Sequence, residues 1–399
     1  MPQRPYSVLF APLLVLVALT VPLDATGQAT GAAAPAGGGA GGGADPVDAW
    51  VLEWMAERDI PGLSLAVVVD GQVEKLEGYG LASLELDVAA SPATVYRLAS
   101  ITKSFTGAAV MALVEAGRLS LEDPIEAHLD GLPAHWHGIT VRRLLTHTSG
   151  LPDLVTQSTF ALEAVASTLQ AALDSVARLP MQFATGTSWR YNQTNYALAQ
   201  VLVEALSAQS FPAFVEERLL RPAGMERTVF GGSSAVVDGR GPWYSRLEVA
   251  EDGGLRPGET LRRLHVDYPE FMLSAGGLNS TVEDLVRWDR ALRDGTVLSP
   301  ESLEELWQPV RLADGSVFRL DGRVLGYALG WSTIDRPEHR AVWASGGNTV
   351  ALHRYLDDDV TVIVLTNCQG SGPNEIAEKV AGFYVPALRD DPVFLPREG

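Results

Sequence analysis

Apolar and polar positions along the chain change period several times, and each change marks an element. Val47, Trp50, Val51, Trp54 and Met55 recur at three- and four-residue intervals, which predicts an amphipathic helix over residues 47–58. Residues 63–69 form a continuous apolar run, Asp70-Gly71 is a turn signal, and residues 72–80 resume the strand pattern, so a β-hairpin is predicted. Residues 94–99 read as another extended segment. From Ser104 to Gly117 nearly every position is apolar or small, as in a helix buried on all sides, and Gly117 supplies its stop. Helical spacing then dominates to about residue 291, for example over 162–179, 197–205, 214–220 and 281–293. Strand patterns return at 330–334, 340–344, 349–355 and 360–366, and a last helix is predicted over 374–388. These elements predict an α/β (α+β) fold: one antiparallel sheet flanked by helices, with a largely helical subdomain inserted. The sheet part takes residues of about 45–103 and 325–399, and the helical part about 104–324. A cleft between two such parts is a usual place for a ligand.

The ends of the chain set where globular sequence begins. Arg4, an apolar core from Val8 to Val21 and small residues around Ala25 predict an export signal over residues 1–29. The apolar run is short for a membrane span, although an uncleaved segment would tether the protein to a membrane. Residues 30–44 are almost entirely Gly and Ala, a tether with little to pack. About 350 residues follow from Asp45, enough for one large domain. Cys368 is the single cysteine, so no internal disulfide forms, and its apolar flank Val362–Leu365 marks it as a packing residue at a strand end. The formal net charge of −19 argues against nucleic acid or an anionic membrane surface as a partner. His135 and His137, two apart with no third ligand in sight, do not define a metal site. No Gly-x-Ser-x-Gly elbow and no phosphate-binding glycine loop occur.

Candidate chemistry concentrates at Ser100-Ile101-Thr102-Lys103, where the extended segment 94–99 turns into the apolar helix. Three residues along a helix give a rise of about 4.5 Å and bring both side chains to one face. A serine is a poor nucleophile until a base takes its proton, and a lysine desolvated at a helix start can be that base. The stretch Tyr96-Arg97-Leu98-Ala99-Ser100-Ile101-Thr102-Lys103, followed by Glu115-Ala116-Gly117-Arg118-Leu119, resembles the serine β-lactamase and penicillin-binding protein family. Within it, the likeness is to the branch of class C β-lactamases, D-aminopeptidases and esterases. Leu144-Leu145-Thr146-His147-Thr148-Ser149-Gly150-Leu151-Pro152 also looks like a stretch of that family, one in which a helix ends near His147 and a turn packs behind the site.

The resemblance implies further site residues. Tyr191 falls on the family's catalytic tyrosine and Gln193 on the asparagine two positions on; Gln193 is expected to bond Lys103, and proximity to the ammonium to ease loss of the Tyr191 proton. In Trp343-Ala344-Ser345-Gly346-Gly347, Ser345 and Gly346 fit the family's third segment, and Gly347 would give its amide, with that of Ser100, to an oxyanion hole. Ala344 stands where the family carries a cation, which favours neutral esters or amides over carboxylate-bearing substrates. The chain is thus expected to be a secreted serine hydrolase of small esters, amides or peptides that needs no metal or organic cofactor. Ala344 and Gln193 keep open two alternatives: a penicillin-binding sensor that acylates without turnover, and a non-catalytic scaffold.

Overall fold

The computed structural model describes residues 45–155, 168–232, 234–249, 255–264, 272–320, 324–390 and 392–395. The predicted export signal and the Gly/Ala tether lie outside the described residues. In chain order the strands are β1 (Gly62–Val69), β2 (Gln72–Ser83), β3 (Val88–Ala89), β4 (Tyr96–Arg97), β5 (Val229–Phe230), β6 (Trp243–Val249), β7 (Leu255–Leu264), β8 (Leu278–Ser280), β9 (Leu325–Tyr327), β10 (Ser332–Ile334), β11 (Ala341–Gly346), β12 (Val350–Tyr355) and β13 (Val360–Thr366).

Eight of them make one sheet, in the order β3-β2-β1-β13-β12-β11-β10-β9, with antiparallel pairing throughout. The hairpin β1–β2 turns at Asp70-Gly71, and β1 closes against β13 from Leu63↔Thr366 to Val69↔Val360. Chain start and chain end thereby share a sheet. Alternation within the strands explains why they read as unbroken apolar runs. Leu63, Leu65, Val67, Val362 and Val364 pack on the outer face under the helices Pro46–Glu57 and Pro373–Tyr384. Ala66, Val342, Ala344, Leu352, Ile363 and Leu365 face the helical body built on Thr102–Glu115. With both faces covered, neither can be polar.

The helical part holds more strand than its sequence suggests. β4 does not join the main sheet but forms a small one in the order β4-β8-β5. The ribbon β6–β7 lies within the stretch expected to be largely helical, and Pro257 and Gly258 interrupt its strand pattern. The helix Gln193–Ser207 starts four residues before the predicted 197, since its first turn is polar and capped by the Asn192 side chain. The predicted terminal helix divides into Pro373–Tyr384 and Pro386–Asp390, as Pro386 cannot donate its backbone bond. Of the helix predicted over 162–179, Leu169–Val176 is described and 162–167 lies outside the described residues. Cys368 is buried just beyond β13, and burial pushes its thiol up to about 11, far from a reactive thiolate.

Candidate active site

Ser100 sits in a single 3₁₀ turn, Ala99–Ile101, that feeds the helix Thr102–Glu115. The turn is tight enough to hold Ala99 at φ 43°, a left-handed conformation that costs an L residue on the order of 1–3 kcal/mol. Lys103 Nζ lies 3.2 Å from Ser100 Oγ and donates to the Ala275 carbonyl at 2.7 Å. The whole first half of that helix is buried, and Lys103 is 1 % exposed. An amine without water resists protonation, so burial lowers Lys103 from 10.5 to about 7; the Asp153 carboxylate acts in the opposite direction. Near neutral pH much of this lysine is a free base beside a hydroxyl.

Tyr191 enters from the segment before the helix Gln193–Ser207. Lys103 Nζ stands 4.9 Å from its ring centroid, and the phenol reaches the Ser100 hydroxyl and the Gln193 amide. The sequence expectation of an easily deprotonated tyrosine is reversed here. Burial outweighs the hydrogen bonds from Ser100 and Gln193 and holds the phenol above its ordinary value, so Tyr191 is a proton donor at rest. The expected bond between Lys103 and Gln193 is also absent. Lys103 is directed to Ser100 and Ala275, while the Gln193 side chain turns to Tyr191 and its backbone N–H donates to Asp153 Oδ1 at 3.0 Å.

His147 packs behind this group, with its ring centroid 4.4 Å from that of Tyr191. Its Nδ1 receives the Asn192 backbone N–H at 3.2 Å and faces Asn195 Nδ2 at 3.1 Å. Two donors at Nδ1 assign the proton to Nε2, and burial keeps the ring neutral. Asp153, one residue past that turn, accepts the backbone N–H groups of Gln193 and Val155. Burial raises its carboxyl to about 6, and it is the carboxylate that Lys103 feels. Sequence reading assigned no role to Asp153, Ala275 or Trp243. Asp153 adjoins the turn at His147–Pro152 and could have been noticed; the Ala275 contribution is a backbone carbonyl and leaves no mark in sequence.

The end of β11 meets the serine turn. A Cβ on Gly346 would lie 2.8 Å from the Ser100 backbone N and 2.9 Å from Ala99 Cβ, and closer still to the Leu98 carbonyl. Glycine is therefore required, and its lack of a side chain lets β11 approach the amide that Ser100 would offer an oxyanion. Gly347 follows at φ 59°, exposed, against Trp243 of the ribbon. Ser345 is half-buried, and its hydroxyl has no partner among the described residues. Ala344 is buried against the helical body and supplies no charge. Gly346→Ala is expected to part β11 from Ser100 and lower kcat/KM about 10²- to 10³-fold, the usual loss of one oxyanion donor. Ester kinetics check this, and near-wild-type activity would show that the approach of β11 is immaterial.

Sheet, helical insertion and Ser100–Lys103–Tyr191 cluster together define a β-lactamase/transpeptidase-like domain. The sequence profile of the Beta-lactamase family matches residues 47–384, and the chain belongs to that family. It is 32% identical over 286 residues to penicillin-binding protein 4* of Bacillus subtilis, an alignment covering 69% of this chain and 61% of that relative, so this chain spans less than two thirds of its length. The octameric penicillin-binding protein homologue from Pyrococcus abyssi superposes with a TM-score of 0.70 at 27% identity, over 85% of this chain and 77% of that one. The D-amino acid amidase from Ochrobactrum anthropi SV3 does so with a TM-score of 0.71 at 21% identity, over 86% and 99%.

Proposed function

We propose that this chain is an exported serine hydrolase that cleaves a small ester, amide or peptide through an acyl-enzyme on Ser100. The observation carrying this reading is the buried Lys103 amine 3.2 Å from Ser100 Oγ, lowered by desolvation toward neutrality. Ser100 Oγ attacks the carbonyl carbon while its proton passes to the neutral Lys103 amine. The oxyanion accepts the backbone N–H groups of Ser100 and Gly347. When the tetrahedral intermediate collapses, the leaving group takes a proton from the Tyr191 phenol, and Lys103 returns one to Tyr191. Water then attacks the acyl group by the reverse relay, freeing Ser100. None of these steps calls for a metal or an organic cofactor.

The wild-type chain is expected to hydrolyse p-nitrophenyl butyrate. A reaction quenched in mid-course should carry a butyryl adduct on the peptide containing Ser100, read by mass spectrometry. Turnover without an adduct at Ser100 would place the nucleophile elsewhere. A second reading, stable acylation by a penicillin, draws on the family's penicillin-binding relatives and on Ala344. Intact mass followed over hours separates it, because a hydrolase sheds the adduct and a sensor keeps it. Export rests on the apolar core from Val8 to Val21, and N-terminal sequencing of the mature protein tests it.

A further inference from the structure

Arg97 precedes Ser100 by three residues, at the end of β4, and its guanidinium lies 5.3 Å over the Trp243 ring. Trp243 in turn touches the site: its Cη2 is 3.4 Å from where a Gly347 Cβ would stand. One indole therefore separates Arg97 from the glycine whose amide faces the oxyanion. Two more arginines flank this wall. Arg240 is bridged to Val95 and spends its donors on the carbonyls of Gly232 and Ala235 and on Asn279 Oδ1. Arg263 lies on β7 opposite Tyr244, the neighbour of Trp243. Among the described residues none of the three has an ion pair, and Arg97 has no hydrogen bond. The Glu85 carboxylate nearby is exposed, accepts from the Tyr244 hydroxyl and is also attracted by Arg263, so it offsets Arg263 but not Arg97. Burial first, then repulsion from Arg240 and Arg263, pushes Arg97 down to about 10. A cationic cluster offset, among the described residues, by a single exposed carboxylate, in a chain of net charge −19, is a local reversal that a bound anion would relieve.

The direction of the chemistry says which part of a substrate meets it. A carbonyl held between the Ser100 and Gly347 amides must present its leaving group to the proton donors Lys103 and Tyr191. The acyl chain must leave by another direction, and the exposed side of Gly347 that faces Trp243 offers it one. The expectation of a neutral substrate rests on Ala344 alone, and Arg97 restores a cation from a neighbouring strand. We propose that Arg97, held over the Trp243 ring with the charges of Arg263 and Arg240 beside it, forms a subsite for a carboxylate at the far end of the substrate's acyl group. The preferred substrates are then esters or amides of dicarboxylic or acidic amino-acid acyl groups. A guanidinium suits this task because its planar fork takes a carboxylate by two parallel hydrogen bonds.

This inference rests on the hydrolase reading, and a paired-substrate experiment tells the two apart. The full chain is assayed with p-nitrophenyl butyrate and with the mono-p-nitrophenyl esters of glutarate and adipate. Wild type is expected to favour an anionic ester about tenfold or more in kcat/KM, the scale of one charge-assisted contact. Arg97→Gln abolishes that preference, chiefly through KM, while butyrate turnover stays within about threefold. Arg97→Lys retains part of it. Arg263→Gln, at an exposed position of β7, loses about two- to threefold, and added salt weakens the preference in wild type. Equal use of neutral and anionic esters by wild type overturns the subsite and leaves the hydrolase standing. An equal fall on both esters in Arg97→Gln makes Arg97 a structural residue and likewise overturns it. No turnover of any ester overturns the hydrolase reading and the subsite with it.

Discussion

Ser100→Ala is expected to reduce ester hydrolysis to background and to abolish the acyl adduct, with the thermal midpoint nearly unchanged. Removing the nucleophile of a serine hydrolase costs about 10⁶-fold, because the remaining groups act only in concert with it. The structure explains why stability should not follow activity. The Ser100 hydroxyl is partly exposed and, among the described residues, meets only Lys103 and Tyr191, so its loss orphans no described backbone group. Lys103 keeps its bond to the Ala275 carbonyl, and Gly346 still supports the strained Ala99. Changes of this kind usually stay within about 0.5 kcal/mol. Side-by-side kinetics and calorimetry of the two proteins test both halves. Retained turnover with unaltered melting would remove Ser100 from the chemistry, whereas joint loss of activity and fold would give the hydroxyl a structural part that its contacts do not show.

What could be read in advance was whatever repeats along the chain. The hairpin at Asp70-Gly71, the strand Val360–Thr366 and the helix after Thr281 all follow from local periodicity, and they appear within a few residues of where pattern puts them. Ser100 and Lys103 were legible for the same reason, since helical spacing alone places them on one face. Partners distant in the chain were not. The Ala275 carbonyl reaches Lys103 across 172 positions, and Trp243 reaches Gly347 from a ribbon interrupted by proline and glycine. Of the two site expectations that failed, the easily deprotonated tyrosine did so through burial and the Lys103–Gln193 bond through the competing Ala275 carbonyl. Sequence suggested that Lys103 would act on Tyr191 as an ammonium and hold Gln193. In the folded chain desolvation disfavours the ammonium and keeps the phenol protonated, which suits Lys103 to the role of base and Tyr191 to that of proton donor. Burial depends on everything packed around a residue, and a four-letter motif does not carry it.

Lys103→Met carries this argument to its sharpest consequence, because it should separate activity from stability in opposite senses. Methionine matches the lysine's length and suits a site buried on all sides, but it can take no proton. A lost general base costs about 10²- to 10⁴-fold, and a base that also activates the nucleophile belongs at the upper end. In wild type, kcat/KM is expected to rise with pH along a limb near 7, where the Lys103 amine becomes free; the variant should lack that limb. Stability runs the other way. Lys103 titrates at about 7 in the fold and near its ordinary 10.5 when unfolded, so the unfolded chain binds the extra proton between those values. The buried amine therefore opposes folding in full below about pH 7, and its opposition fades as pH rises toward 10.5. Lys103→Met escapes that penalty and is expected to melt at or above the wild-type temperature at pH 6.5, with the difference shifting in favour of wild type by pH 9.5. Thermal melts of both proteins across this range decide it. A variant less stable than wild type at pH 6.5, or a gap that does not move with pH, would mean that Lys103 is held as a paired cation, and the free-amine mechanism would fall with it.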